Sequence, residues 1–127
     1  MLPLLVALAL VGGRDHTPPV FGGLDRATTC IPGPVGGDRL SRYHLSWRTA
    51  RDDRTPRSRI VYDIYMATTP GGQSFAHPTY TSAAGATSFA TPPLSSVEQH
   101  YFVVRARDAA GNRDRNRRER LGTNLCL

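Results

Sequence analysis

Nowhere in this chain do apolar residues recur at helical spacing for three turns. They come instead in short runs, each interrupted within about ten residues by Pro, Gly, Asn or Asp. The ten prolines and twelve glycines are spread between these runs and form no low-complexity block. Proline removes a backbone donor and glycine adds backbone freedom, so both punctuate the chain with turns. Such a pattern excludes a helical fold and predicts short strands joined by tight connections.

The clearest alternation is Tyr43, Leu45 and Trp47 against His44, Ser46 and Arg48. Period two with an aromatic inner face means a half-buried strand. Residues 59–67 read as another, with Ile60, Tyr62 and Ile64 on one face and Val61, Asp63 and Tyr65 on the other. Residues 100–107 read as the strongest, with Phe102, Val104 and Ala106 inward and Tyr101, Val103, Arg105 and Arg107 outward. Residues 20–29 form a first strand, 79–81 and 87–90 two weaker ones, and 121–127 a last one. The stretches 31–38, 49–58, 68–72 and 108–112 are loops and turns, rich in Pro, Gly and Asp. About seven strands, with turns at this frequency, predict an all-β fold of two antiparallel sheets packed as a sandwich.

At three places the sequence resembles the fibronectin type III family: Leu45 to Ala50 (LSWRTA), Ile60 to Gly72 (IVYDIYMATTPGG) and Tyr101 to Asn112 (YFVVRARDAAGN). The resemblance implies one immunoglobulin-like module over residues 18–127, after a leader and short tail at 1–17. It implies that Trp47 fills the core between the sheets and that the strands at 59–67, 100–107 and the C-terminus share one sheet. In that family a leucine is followed six residues later by a tyrosine that ties a loop to the backbone. Leu94 stands at the leucine place, but His100 stands at the tyrosine place, with Tyr101 next to it. Either His100 makes the corner hydrogen bond or the register slips by one residue. The family includes adhesion, receptor and bacterial extracellular modules, and spacers within larger enzymes.

The run from Met1 to Gly13 is apolar but too short to span a bilayer. It suits the core of a secretory signal, with cleavage expected near Ala7 to Ala9 or at Gly12 and Gly13. Pro3 and the lack of alternation count against a buried strand there. Cys30 and Cys126 are the only cysteines. An even pair, one near each end of the module, fits a disulfide formed in an oxidising compartment. The expected location is therefore secreted or cell-envelope, with no transmembrane span.

No catalytic pattern stands out. His16, His44, His77 and His100 are scattered, and no nucleophile elbow, paired metal-binding histidines or phosphate-binding glycine loop occurs. No enzyme activity, cofactor or metal is expected. The best acidic grouping would bring Asp52 and Asp53 beside Asp108, Asn112 and Asp114. Arg51, Arg54 and Arg113 interleave with those acids, and such residues are ordinary turn formers.

Charge is more informative. The net charge is +6, and all sixteen basic residues are arginine. Arginine presents a planar fork to carboxylate, phosphate or sulfate, although a coding bias would give the same composition. On the shared sheet Tyr65, Tyr101, Arg105 and Arg107 are expected to face solvent beside Arg115 and Arg117. That face predicts a monomeric, non-enzymatic module that binds an acidic polysaccharide, an envelope polymer or an acidic protein. Export argues against nucleic acid. The alternative is a structural spacer or a fragment of a larger surface protein, with the arginines merely guarding the sheet against aggregation.

Overall fold

The computed structural model describes residues 15–33 and 38–126. The apolar run 1–13 lies outside the described residues, as do residues 34–37 of the expected first loop. The described residues form the strands β1 (Leu24–Thr29), β2 (Leu40–Ser41), β3 (His44–Trp47), β4 (Val61–Ala67) and β5 (Tyr80–Thr81). They continue with β6 (Ser88–Ala90), β7 (Leu94–Ser95), β8 (Tyr101–Arg107), β9 (Arg120–Leu121) and β10 (Thr123–Asn124). The helical content among them is a three-residue turn, Arg57–Arg59.

Two four-stranded sheets result, ordered β10-β1-β3-β6 and β5-β4-β8-β9, with β2 and β7 paired as a separate ribbon. The ribbon went unforeseen because two-residue strands leave no periodicity to read. The longest pairing is β4 with β8, which runs from Val61 opposite Arg107 to Ala67 opposite Tyr101. The sheets meet over one core. Leu24, Ala27, Leu45 and Trp47 come from the first sheet, while Tyr62, Ile64, Phe102, Val104 and Ala106 come from the second, with Ile60 just before β4. Two polar groups of this core have backbone partners. Trp47 Nε1 donates to the Ala86 carbonyl at 3.0 Å, and the Tyr62 hydroxyl accepts from the Ala50 N–H at 2.9 Å. The Trp47 and Tyr62 rings lie 5.1 Å apart, a separation favourable for tilted aromatic pairs.

His100 is buried, only 3 % exposed, and its Nε2 lies 2.9 Å from the Ser95 carbonyl. A carbonyl can only accept, so the ring donates there. Tyr101 keeps its place as the first residue of β8. Of the two alternatives left by the sequence, the corner bond from His100 is the one observed, and it holds β7 against the start of β8.

One expectation needs correction. The sheets are not purely antiparallel, because β10 pairs with β1 in parallel, Thr28 opposite Thr123 and Thr29 opposite Asn124. The last segment leaves β8 after β9, crosses at Gly122, and joins the other sheet without reversing direction. Gly122 is required there by space. A Cβ at that position would stand 2.5 Å from Cε2 of the buried Tyr43 ring. We predict that Gly122→Ala lowers stability by about 1–3 kcal/mol, the usual cost of overpacking. Thermal unfolding measures it, and an unchanged Tm would mean that the Tyr43 ring yields freely.

The Cys30–Cys126 disulfide is present and joins the residues just after β1 and β10 across 96 positions of sequence. Both cysteines lie at the surface. Closing so long a loop restricts the unfolded chain, and reduction should cost roughly 4–5 kcal/mol in the chain-entropy picture. Urea unfolding with and without reductant tests this. Coincident midpoints would remove the disulfide from any account of stability.

Candidate anion-binding face

The face of β4 and β8 that points away from the core carries Asp63, Tyr65, Val103, Arg105 and Arg107. Sequence alternation predicted that it would be open to solvent. It is largely covered: Tyr65 is 1 % exposed and Arg105 9 %. Two segments lie over it, the connection between β4 and β5, which carries Phe75, and the arginine-rich stretch 113–119. Glu119 anchors the first of these by accepting from the Gly71 N–H at 2.8 Å and from Gln73 Nε2 at 2.7 Å.

The stretch 113–119 is not the strand that its position suggests. It starts beside β8 with a bridge between Arg113 and Arg107 and a backbone bond from the Asp114 N–H to the Ala106 carbonyl at 3.0 Å, and continues through side chains. Asp114 accepts from the Ala106 N–H at 2.6 Å, and Asn116 donates to the Val104 carbonyl at 2.9 Å. Asp114 also accepts from the Asn116 N–H at 2.9 Å, which holds the two side chains in step. Because Asp114 and Asn116 turn toward β8, the alternate residues Arg113, Arg115 and Arg117 are free to project on the other side. The sequence carried this signal as an Arg-Asp-Arg-Asn-Arg alternation, readable only once polar side chains are allowed to stand in for backbone partners.

Phe75 is the centre of the face. The Arg105 guanidinium lies 3.6 Å from its ring centroid and Arg117 5.5 Å, while the Tyr65 ring packs at 5.0 Å. Cation–π contact of this kind is favourable for a guanidinium withdrawn from water. Arg105 Nε also donates to the Asn116 carbonyl at 2.9 Å. No carboxylate lies within ion-pair distance of Arg105 among the described residues. Burial lowers its pKa from the ordinary value, and the neighbouring Arg117 and Arg115 act in the same direction, while Tyr65 and Asp114 act against it. Burial likewise pushes the Tyr65 phenol above its ordinary 10, and the Tyr65 hydroxyl is buried without a hydrogen-bond partner.

Arg107 has another role. It donates from Nε to Asp63 Oδ2 at 2.9 Å, and Arg113 Nε reaches the same oxygen at 2.7 Å. Thr81 donates to Oδ1 at 3.0 Å. The Asp63 side chain has no solvent exposure. Burial alone would raise its carboxyl pKa, but the hydrogen bonds and charges of Arg107 and Arg113 outweigh this and hold it below the ordinary 3.8. Tyr101 stands at the far end of β8 and bonds Gln99 through its hydroxyl at 2.8 Å. The structure therefore gathers Tyr65, Arg105 and Arg117 around Phe75, commits Arg107 to Asp63, and leaves Tyr101 apart. Sequence reasoning missed Phe75 because a single aromatic in a Gly-, Ser- and Pro-rich stretch has no periodic partner. It missed the role of Asp63 although an acid inside an apolar strand signals a buried ion pair.

An open groove of about 340 Å³ lies beside Arg105, bordered by His16, Phe75, Arg113, Asp114 and Arg115. A smaller recess of about 130 Å³ lies on the other side of Phe75, with Arg117 and Glu119 at its rim. The expected acidic grouping is rearranged. Asp52 and Asp53 cluster with Asp15, while Asp108 accepts the N–H groups of Ala110 and Asn112 in its own turn. Asp114 is taken up by β8 and by Asn116, because each acid satisfies the backbone donors nearest to it. No protein-family model, curated protein or solved structure matches this chain. The face must be interpreted from its own chemistry.

Asp63 provides the first test of that chemistry. Its lowered pKa contributes stability that is complete above about pH 4, the unfolded carboxyl range, and is lost as pH falls through the lower folded value. Asp63→Asn removes the charge that two arginines share. It should cost about 3 kcal/mol, the low end for a broken buried pair, because Arg107 and Arg113 stay partly hydrated. It should also flatten the acid limb of a stability–pH curve. A variant with full stability and an unchanged acid limb would show that Asp63 does not hold the face together.

Proposed function

We propose that this chain is an extracytoplasmic, non-enzymatic binding module of the fibronectin type III kind, which takes an acidic ligand through its arginine face. The observation that carries the reading is Arg105, a nearly buried guanidinium with no carboxylate partner among the described residues, at the edge of a groove bordered by further arginines. Burying a cation with no carboxylate in direct contact is costly, and an anion arriving from outside supplies that contact.

The family reading draws support from the strand orders β10-β1-β3-β6 and β5-β4-β8-β9, from Trp47 in the core, and from the corner bond of His100. The surface disulfide fits an oxidising compartment. No helix among the described residues is long and apolar enough to cross a membrane.

The structure changes which of the expected residues should be tested. Tyr65 lies beneath Phe75 and Arg107 is spent on Asp63, so altering either would disturb folding first. Arg115 and Arg117 are exposed and report on binding more cleanly. The oxidised protein should be retained on acidic polysaccharide or envelope fractions at about 0.15 M salt, where surface charges further apart than roughly 8 Å are largely screened. Retention should fall sharply in the Arg115→Ala, Arg117→Ala double variant. If the wild-type protein is retained on none of these fractions, the spacer reading replaces this one.

A further inference from the structure

The groove beside Arg105 restricts what the acidic ligand can be. Its volume of about 340 Å³ is near the lower bound for small-ligand sites, enough for one sugar-sized unit and too little for a folded partner. Arg105, Arg113 and Arg115 border it, and the one acid at its edge, Asp114, already accepts hydrogen bonds on both oxygens. Arg113 uses Nε on Asp63, which leaves its terminal nitrogens without an assigned partner among the described residues. Guanidinium groups so arranged suit an oxyanion held by paired hydrogen bonds.

Two further observations separate the classes of polymer. Single-stranded nucleic acid is held largely by stacking bases on free aromatic faces. Here Phe75 is already occupied by Arg105, Arg117 and Tyr65, which leaves one exposed ring, His16, among the described residues at the groove, too few to stack successive bases. Protein partners are usually anchored by apolar or aromatic side chains. The exposed large apolar residues Val20, Leu40, Val97, Leu121 and Leu125 are all absent from the groove lining. What remains is a ligand rich in charge and hydroxyl groups.

We infer that the groove holds one unit of an anionic polysaccharide, with its carboxylate or sulfate seated among Arg105, Arg113 and Arg115. This rests on the acidic-ligand reading and specifies its site and ligand class. The shared chemistry is an oxyanion on a sugar ring, and the choice between uronate and sulfated sugar is left to the probes.

The test measures binding of the full oxidised protein to oligogalacturonate, sulfated dextran, neutral dextran, polyphosphate and single-stranded DNA at matched ionic strength. Tight binding to oligogalacturonate identifies a carboxylate ligand, and tight binding to sulfated dextran a sulfate ligand. Either supports the inference if neutral dextran does not bind. Arg115→Glu, at an exposed position, should weaken that binding about tenfold or more, the scale of one charge-assisted hydrogen bond. Arg26→Glu makes the same charge change on an exposed position of β1 in the other sheet and should alter it by less than about twofold. Arg105→Lys keeps the charge and loses the fork, so it should weaken binding while circular dichroism stays native.

Equal losses in Arg115→Glu and Arg26→Glu would overturn the groove and leave a diffuse cationic surface, with the binding function intact. Tighter binding to single-stranded DNA or polyphosphate than to either acidic saccharide would overturn the saccharide assignment. Binding to no probe would overturn the acidic-ligand reading itself.

Discussion

Asp63 lies within β4, in the longest strand pairing, and its side chain has no access to water. An ionised carboxyl cannot remain there unless cations are brought to it. Arg107 arrives across the β4–β8 pair and Arg113 from the stretch beyond the 108–112 turn. The requirement of one acid therefore fixes the position of a segment fifty residues downstream. With Arg113 in place, Asp114 and Asn116 fall beside β8, and the next arginines fall over Phe75 and the groove. The charge that stabilises the sheet and the charge left exposed beside the groove belong to one arrangement.

Most of the framework could be read from the chain. Tyr43, Leu45 and Trp47 announced their strand by alternation, and the Ile60, Tyr62, Ile64 and Phe102, Val104, Ala106 faces did enter the core. The disulfide followed from an even pair of cysteines placed near the two ends of the strand-bearing region. The exposure of the outer face could not be read this way. Alternation tells which residues share a side, and it is silent on whether something else in the chain will cover that side. Here the cover is a loop with one aromatic residue, which has no periodic signature, and a polar stretch that pairs largely through side chains and whose alternation is of charge and not of hydrophobicity. The arginine-rich face was thus placed on the correct sheet, while its accessible part lies at Arg113, Arg115 and Arg117 and not at Tyr65 and Arg107.

Arginine, and not lysine, suits each of these positions for a separate physical reason. At Phe75 the flat guanidinium stacks on a ring. At Asp63 two guanidinium groups share one carboxylate through directional bonds. At Asn116 a guanidinium donates to a main-chain carbonyl. A lysine ammonium would hold more water and match none of these planar contacts. A lysine-free composition of whatever origin thus has structural uses on this face.

The link between Cys30 and Cys126 has a mechanical consequence. The covalent path from the residues before β1 to the C-terminal end passes through β1 and then directly across the sulfur–sulfur bond. The other strands, their core and the arginine face all lie on a closed loop off that path. A pull applied along the chain would load His16 at the edge of the groove, β1 and the disulfide, while Arg105, Arg113 and Arg115 would carry no tension through their own backbone. Strain on β1 would thus leave the β4–β8 pair and the arginines beside it without load.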